Sequence, residues 1–302
     1  MGRLDPLVRR RHVGHQLRRY REAAGKYQSD VMGAMDWSKS KINRVENGVV
    51  AVTTVDLLHL LRYYGVDDEE STRHLLEAAR ESRRHSNWSE FRDYVSPEYY
   101  SFVAHEASAR MIRSFQPLVV PGLLQTDEYA SAVVGSYNRR TADVVKKRVE
   151  LRTRRQVVLE RDERPALCFL LSEAVISFRV GDARVMRGQL RRLIEVAERP
   201  GVTVRIVPFS YGIYPHWREP YVLLEIEEPA NGDDAGDLVL YLETPRGELL
   251  TSVASGDETG SGRRPSPCPT DWLDDHVTLE AEAGDLELTL GKLHEALARV
   301  SA

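Results

Sequence analysis

The chain has 302 residues, the length of about two domains, and its 42% hydrophobic and 29% charged residues exclude a wholly disordered or fibrous protein. Its longest apolar stretches, 117–124 and 166–171, fall far short of the ~20 residues a membrane-spanning helix needs. The net charge of -4 is segregated: residues 1–66 hold 12 Lys/Arg against 6 Asp/Glu, whereas residues 217–302 hold 6 against 19. Polyanion contact is therefore expected near the basic end, because acidic surfaces repel nucleic acid.

Residues 13–84 carry helical periodicity throughout, and five short helices are expected. The first holds Val13, Leu17, Tyr20 and Ala24 on one face and stops at Gly25. The second runs over about 28–35, with Val31 and Met35 inward. The third follows Ser38 as N-cap, buries Ile42 and Val45, and ends at Asn47 and Gly48. The fourth starts at Thr53 or Thr54 and is expected to bury Val55, Leu58 and Leu61 before Gly65. The fifth covers about 68–84, acidic first and basic last, as the helix dipole favours.

An aromatic run from Trp88 to Phe102 opens a second core, so domains are expected at 1–85 and 86–302. Helices are expected at about 98–115, 127–137 and 141–161. Residues 166–171, 202–207, 221–226 and 238–242 read as strands, with a helix over 183–199. Strand, helix, strand implies one parallel crossover, followed by antiparallel strands in a small mixed sheet. A Gly/Ser/Pro-rich insertion at about 252–273 is expected to be mobile, and a last helix carries the stripe from Leu286 to Val300.

Between Gln28 and Gly48, the segment QSDVMGAMDWSKSKINRVENG places two short helices around a tight turn. That is the helix-turn-helix arrangement, in which the second helix fits the DNA major groove. The order of apolar and polar positions resembles the XRE type, the phage-repressor class of DNA-binding domains. The resemblance implies base-edge contacts from Lys39, Ser40 and Arg44, with Asn43 beside them and Ser38 opening the helix. It implies phosphate contacts from Gln28, Lys41 and Asn47, and a structural Arg21–Glu46 pair. Lys26, Tyr27 and Asp36 depart from the pattern, Tyr27 by replacing the Ser or Thr N-cap and Asp36 by standing where a turn glycine is common.

The stretch SFQPLVVPGLLQTDEYA, with Arg148, Arg152, Gln156 and the run from Ser172 to Val175, is similar to an uncharacterised domain that follows XRE domains in actinobacterial antitoxin-like regulators. The resemblance implies a cytoplasmic, nucleoid-associated transcriptional regulator, a homodimer on double-stranded operator DNA, its C-terminal domain receiving a signal from a small partner protein. Two other readings stand beside it: a small-molecule sensor, and an antitoxin that silences a toxic partner. The candidate ligand or partner residues are Leu124, Gln125, Glu173 and Arg179, with the aromatic loop of Tyr214, His216 and Trp217.

Catalysis is not expected. The S-x-x-K at Ser38–Lys41 falls in the recognition segment without partner motifs, and no G-x-S-x-G, Walker loop or H-E-x-x-H occurs. Residues 231–237 loosely follow a calcium loop, but its twelfth position is Leu242. His12 and His15 lie in a basic N-terminal arm and read as solvent- or phosphate-facing. The basic stretch 139–164 reads as a wet helix face that could reinforce a DNA footprint. With two cysteines, Cys168 in an apolar run and Cys268 between prolines, neither a disulfide framework nor a cysteine-based metal site is expected. No cofactor, metal or secretory signal is expected.

Overall fold

The computed structural model describes residues 4–136, 141–161, 163–226, 235–244, 247–255 and 267–301. The chain divides into two compact units, Met1–Glu90 and Phe91–Ala302. Among the described residues, no helix is long and apolar enough to cross a membrane.

The first unit contains α1 (Pro6–Ala23), α2 (Gln28–Met35), α3 (Lys39–Glu46), α4 (Thr54–Tyr64) and α5 (Glu69–Glu81). The first helix begins seven residues before the expected Val13, so His12 and His15 lie on a helix and not in an arm. Asp5 is the reason: its carboxylate accepts from Leu7 N–H at 2.9 Å, Pro6 stands at the first helical position, and Ser86 Oγ donates to the other carboxylate oxygen at 2.8 Å. A second correction concerns α4, whose core face is Leu57, Leu60, Leu61 and Tyr64, while Val55 and Leu58 are exposed. The expected face was one residue out of phase, since several apolar residues crowd this short helix and more than one stripe can be drawn through them. The buried cluster joins Val13 and Leu17 of α1 to Val31, Ile42 and Val45, with Leu75 and Ala79 of α5 closing it.

The second unit is built on a six-stranded sheet, larger than the small one expected. Its strands are β1 (Met111–Gln116), β2 (Ala166–Ser172), β3 (Val202–Val207), β4 (Tyr221–Ile226), β5 (Ala235–Thr244) and β6 (Gly247–Ser255), in the order β3-β2-β1-β4-β5-β6. β1, β2 and β3 are parallel; β4, β5 and β6 join antiparallel. The expected helix over 98–115 splits into α6 (Pro97–Ser108) and β1. The run Met111–Gln116 mixes Arg113, Ser114 and Gln116 with three apolar residues without strict alternation, so it carries no clear period-two signal. Between β1 and β2 come α7 (Asp127–Gly135) and α8 (Ala142–Arg155), which runs on into a 3-10 turn at Gln156–Glu160. The short α9 (Ala174–Ser177) follows β2, and α10 (Ala183–Ala197) makes the crossover to β3.

Two helices close the chain, α11 (Pro269–Glu282) and α12 (Leu286–Ser301). The first was not expected, because it opens inside the stretch read as a mobile insertion. Residues 252–255 of that stretch belong to β6, Pro269 onward to α11, and 256–266 lie outside the described residues. Of the acidic stretch 231–237, residues 231–234 lie outside them and the rest opens β5; of the basic stretch 139–164, residues 139, 140 and 162 lie outside them. Helix α11 covers one face of the sheet, with Trp272 and Leu279 against Phe115, Leu170, Tyr221 and Leu223. Helix α12 packs along α10 and β3, where Thr289 Oγ1 accepts the Ile206 N–H at 3.1 Å, satisfying a donor on the outer edge of the sheet.

Candidate nucleic-acid interface

Helices α2 and α3 are joined by a turn at Asp36, which sits at φ 50° in the left-handed region. Aspartate reaches that region at lower cost than most residues, so the turn survives without glycine. Tyr27 provides no side-chain cap for α2; instead the Asp30 carboxylate accepts the Tyr27 N–H at 2.7 Å, the returning half of a capping box. Helix α3 is capped by Ser38, whose Oγ accepts from Lys41 N–H at 3.2 Å.

What holds α3 in place is unusually close backbone packing. Gly14 of α1 lies so near its end that a Cβ there would come within 2.4 Å of the Val45 carbonyl oxygen, and one on Gly48, at φ +66°, within 2.5 Å of Arg11 Cα. Only glycine permits these approaches. A buried polar knot fixes the same end: Arg21 Nε donates to Glu46 Oε1 at 2.6 Å, its second nitrogen reaches Oε2 at 3.1 Å, and Gln28 Nε2 donates to Oε2 at 2.9 Å. The Arg21–Glu46 pair thus bridges α1 and α3. Gln28, expected on phosphate, has its side-chain amide in this knot.

The outward face of α3 presents Ser38, Lys39, Ser40, Lys41, Asn43, Arg44 and Asn47, all exposed. Ile42 and Val45 point into the core. Lys41 holds its ammonium 3.8 Å from the centroid of the Trp37 ring, a cation–π contact that limits the side chain's wandering. Trp37 in this role was missed by the sequence reading, which had no signal for it beyond its place in the turn. Asn47 Nδ2 donates to Asn43 Oδ1 at 2.8 Å. That oxygen keeps a second lone pair and the Asn43 amide its two donors, as paired recognition of adenine requires. The surface is short, polar, cation-bearing and rigidly backed.

The candidate ligand or partner residues of the second unit fall into two groups. Leu124 and Gln125 are interior. Gln125 Nε2 donates to Val120 O at 2.6 Å and its Oε1 accepts from Arg152 at 2.7 Å; Gln189 Nε2 donates to Leu124 O at 2.7 Å, and Gln156 Nε2 to Gln125 O at 2.6 Å. The P-G-L-L-Q-T stretch is therefore a polar knot that ties the loop to α8 and α10. Glu173 lies apart from it in bonding: its carboxylate accepts from Phe209 N–H at 2.9 Å and from Lys292 at 3.0 Å. Burial pushes its pKa up, but those two donors outweigh that and hold it below the ordinary range. Arg179 is exposed.

The aromatic loop is pinned to α11. His216, at φ 58°, stacks on Trp272 with centroids 3.4 Å apart, and its Nε2 lies 3.1 Å from Asp275 Oδ2. Tyr214 packs edge-on against Phe115, and Tyr211 Oη bonds Glu282. Pinned in this way, the loop turns Phe209, Ile213 and Trp217 outward, Ile213 at 83% exposure.

Residues 12–75 match a helix-turn-helix domain, which marks the first unit as that of a DNA-binding regulator. Neither a curated protein nor a solved structure gives a significant match. Residues 99–256, a little over half of the chain, match the domain of unknown function DUF5753. This span takes in the P-G-L-L-Q-T knot and all six strands, so the chain belongs to the DUF5753 family.

Proposed function

We propose that this protein is a sequence-specific transcriptional regulator of XRE type that reads double-stranded operator DNA through α3. The observation that carries the reading is the exposed row from Ser38 to Asn47 on a helix backed by the Arg21–Glu46–Gln28 knot. Lys39, Ser40, Asn43 and Arg44 contact base edges, with Arg44 directed to guanine, and Lys41 and Asn47 contact phosphates. The protein acts as a homodimer on half-sites about one helical turn (~34 Å) apart. In this reading the chain catalyses no reaction.

The second unit receives a signal from a small partner protein. Supporting this are the outward Phe209, Ile213 and Trp217, apolar side chains on a loop held rigid from behind by His216 and Tyr211. Apolar anchors presented on a fixed loop suit protein recognition. The differential binding needed to bias DNA affinity is only ~1–3 kcal/mol.

The test compares binding of purified protein to the DNA upstream of its own gene and to a scrambled duplex, with and without the product of the adjacent small gene. Selective binding that the neighbour alters supports the reading, and equal affinity for both duplexes removes it. Trp217→Ala is expected to abolish the neighbour's effect and leave binding to DNA alone unchanged.

A further inference from the structure

Cys168 of β2 and the pair His276 and Glu280 of α11 meet where that helix covers the sheet. His276 and Glu280 are four residues apart and so share one helix face. One ligand atom from each residue, the Cys168 Sγ, a ring nitrogen of His276 and a Glu280 carboxylate oxygen, lies within 4.8 Å of the other two. His276 is fully buried at 0% exposure. Its Nδ1 is engaged with Tyr221 Oη at 3.1 Å, while its Nε2 has no hydrogen-bond partner. A buried ring nitrogen left in this way is a cost that cores normally avoid, and it needs a reason.

We propose that Cys168 Sγ, His276 Nε2 and a Glu280 carboxylate oxygen form a binding site for a zinc-class divalent cation. A thiolate, an imidazole and one carboxylate are the donor types such ions prefer, whereas magnesium and calcium require mostly oxygen ligands. Bond lengths of ~2.0–2.3 Å put ligand atoms about 3.3–3.6 Å apart in a tetrahedron, so three atoms within 4.8 Å of one another need draw together by at most about 1.5 Å to hold an ion. The fourth position is left to water. On binding, the Cys168 thiol loses its proton to solvent; the thiolate and carboxylate then cancel the two charges of the ion, and the site is neutral. With Nδ1–H donating to Tyr221 Oη, the Nε2 lone pair faces the ion, the outer-shell arrangement usual for ligating histidines.

Two cations lie near the site. Arg113, on β1 in register with Cys168, is ion-paired with Glu225, and Arg205 lies on β3 on the other side. Glu280 is half-buried and connects the site to solvent. A nucleophilic role for the same trio fits worse, since Cys168 is 1% exposed and burial pushes its thiol pKa up. A bound ion would clip α11 to β2.

The experiment uses the full chain, stripped with a chelator and titrated with cobalt(II) alone, then with zinc(II) alone. One cobalt per chain is expected, with a thiolate-to-cobalt charge-transfer band that zinc abolishes and a Tm raised by either ion. Cys168→Ser should lose the band and Cys268→Ser should keep it. Glu280→Gln, at a half-buried position that tolerates the change, should weaken cobalt binding at least tenfold while the circular dichroism stays native. This variant decides the matter if Cys168→Ser fails to fold. Absence of a charge-transfer band, a band that disappears with Cys268→Ser, or unchanged affinity in Glu280→Gln would each overturn the proposal.

Discussion

Arg44 and Lys41 stand on the same exposed helix, yet their chemistry assigns them different work. A guanidinium matches the paired acceptors of guanine, while an ammonium is a point charge suited to phosphate. Arg44→Ala is expected to cost ~1–3 kcal/mol on the operator and little on scrambled DNA; Lys41→Ala should weaken both alike and lower the salt slope by about one. Competition binding at two salt concentrations checks both, and equal loss on every sequence for Arg44→Ala would remove its base-reading role. Beneath them, Glu46 is 4% exposed and pairs with Arg21 at 7%. Glu46→Ala strands a buried guanidinium and is expected to destabilise the first unit by ~3–5 kcal/mol, seen as a lower Tm with uniform loss of DNA affinity. In the second unit, Glu173 titrates below its ordinary value of 4.5 because Phe209 N–H and Lys292 outweigh its burial. Its contribution to stability is therefore complete above that value and lost as pH falls through the lower, folded-state value. Glu173→Gln should be less stable than wild type at neutral pH, with the gap closing in acid thermal melts.

At the scale of elements, the position of α3 depends on two glycines more than on its own sequence. An added methyl at Gly14 meets backbone oxygens of Val45 and Glu46, which cannot rotate away, so Gly14→Ala must push α3 from α1. The expected result is a loss of ~1–3 kcal/mol in stability and weaker binding to all DNA; Gly33→Ala, where a Cβ meets nothing within 4 Å, is the neutral control. Native melts and anisotropy titrations on the pair make the comparison. These glycines also mark what a linear reading reaches. The polar face of α3, the Ser38 cap and the left-handed Asp36 were legible, because caps, turns and helical periodicity act within a few residues. The Arg21–Glu46 bridge was legible only through resemblance, since it spans 25 positions. Strand β1 and helix α11 were not legible. The first lacks strict apolar and polar alternation, and the second follows directly on a low-complexity stretch. The same lack hid His276 and Glu280, whose four-residue spacing becomes a signal only once a helix is known to carry them. The P-G-L-L-Q-T stretch was visible as a landmark but read as a site; its Gln125 side chain and two of its backbone carbonyls are engaged by Arg152, Gln156 and Gln189.

For the whole molecule, the charge segregation acquires a structural sense. The basic residues 1–66 hold α1 to α4, α3 among them, and the acidic excess lies at the far end, in residues 217–302. An electrostatic contribution to binding is thus expected from residues 1–66, and log affinity should fall linearly with log salt at a slope set by the phosphates engaged. The acidic residues 217–302 disfavour DNA contact along that part of the chain. The measurement that bears most directly on this account is fluorescence anisotropy of the intact protein on its own upstream DNA and on a scrambled duplex at two salt concentrations. Tighter binding to the upstream DNA is expected at both, with discrimination lost in Arg44→Ala and the salt slope reduced in Lys41→Ala. Equal affinity for the two duplexes in the wild type would contradict it.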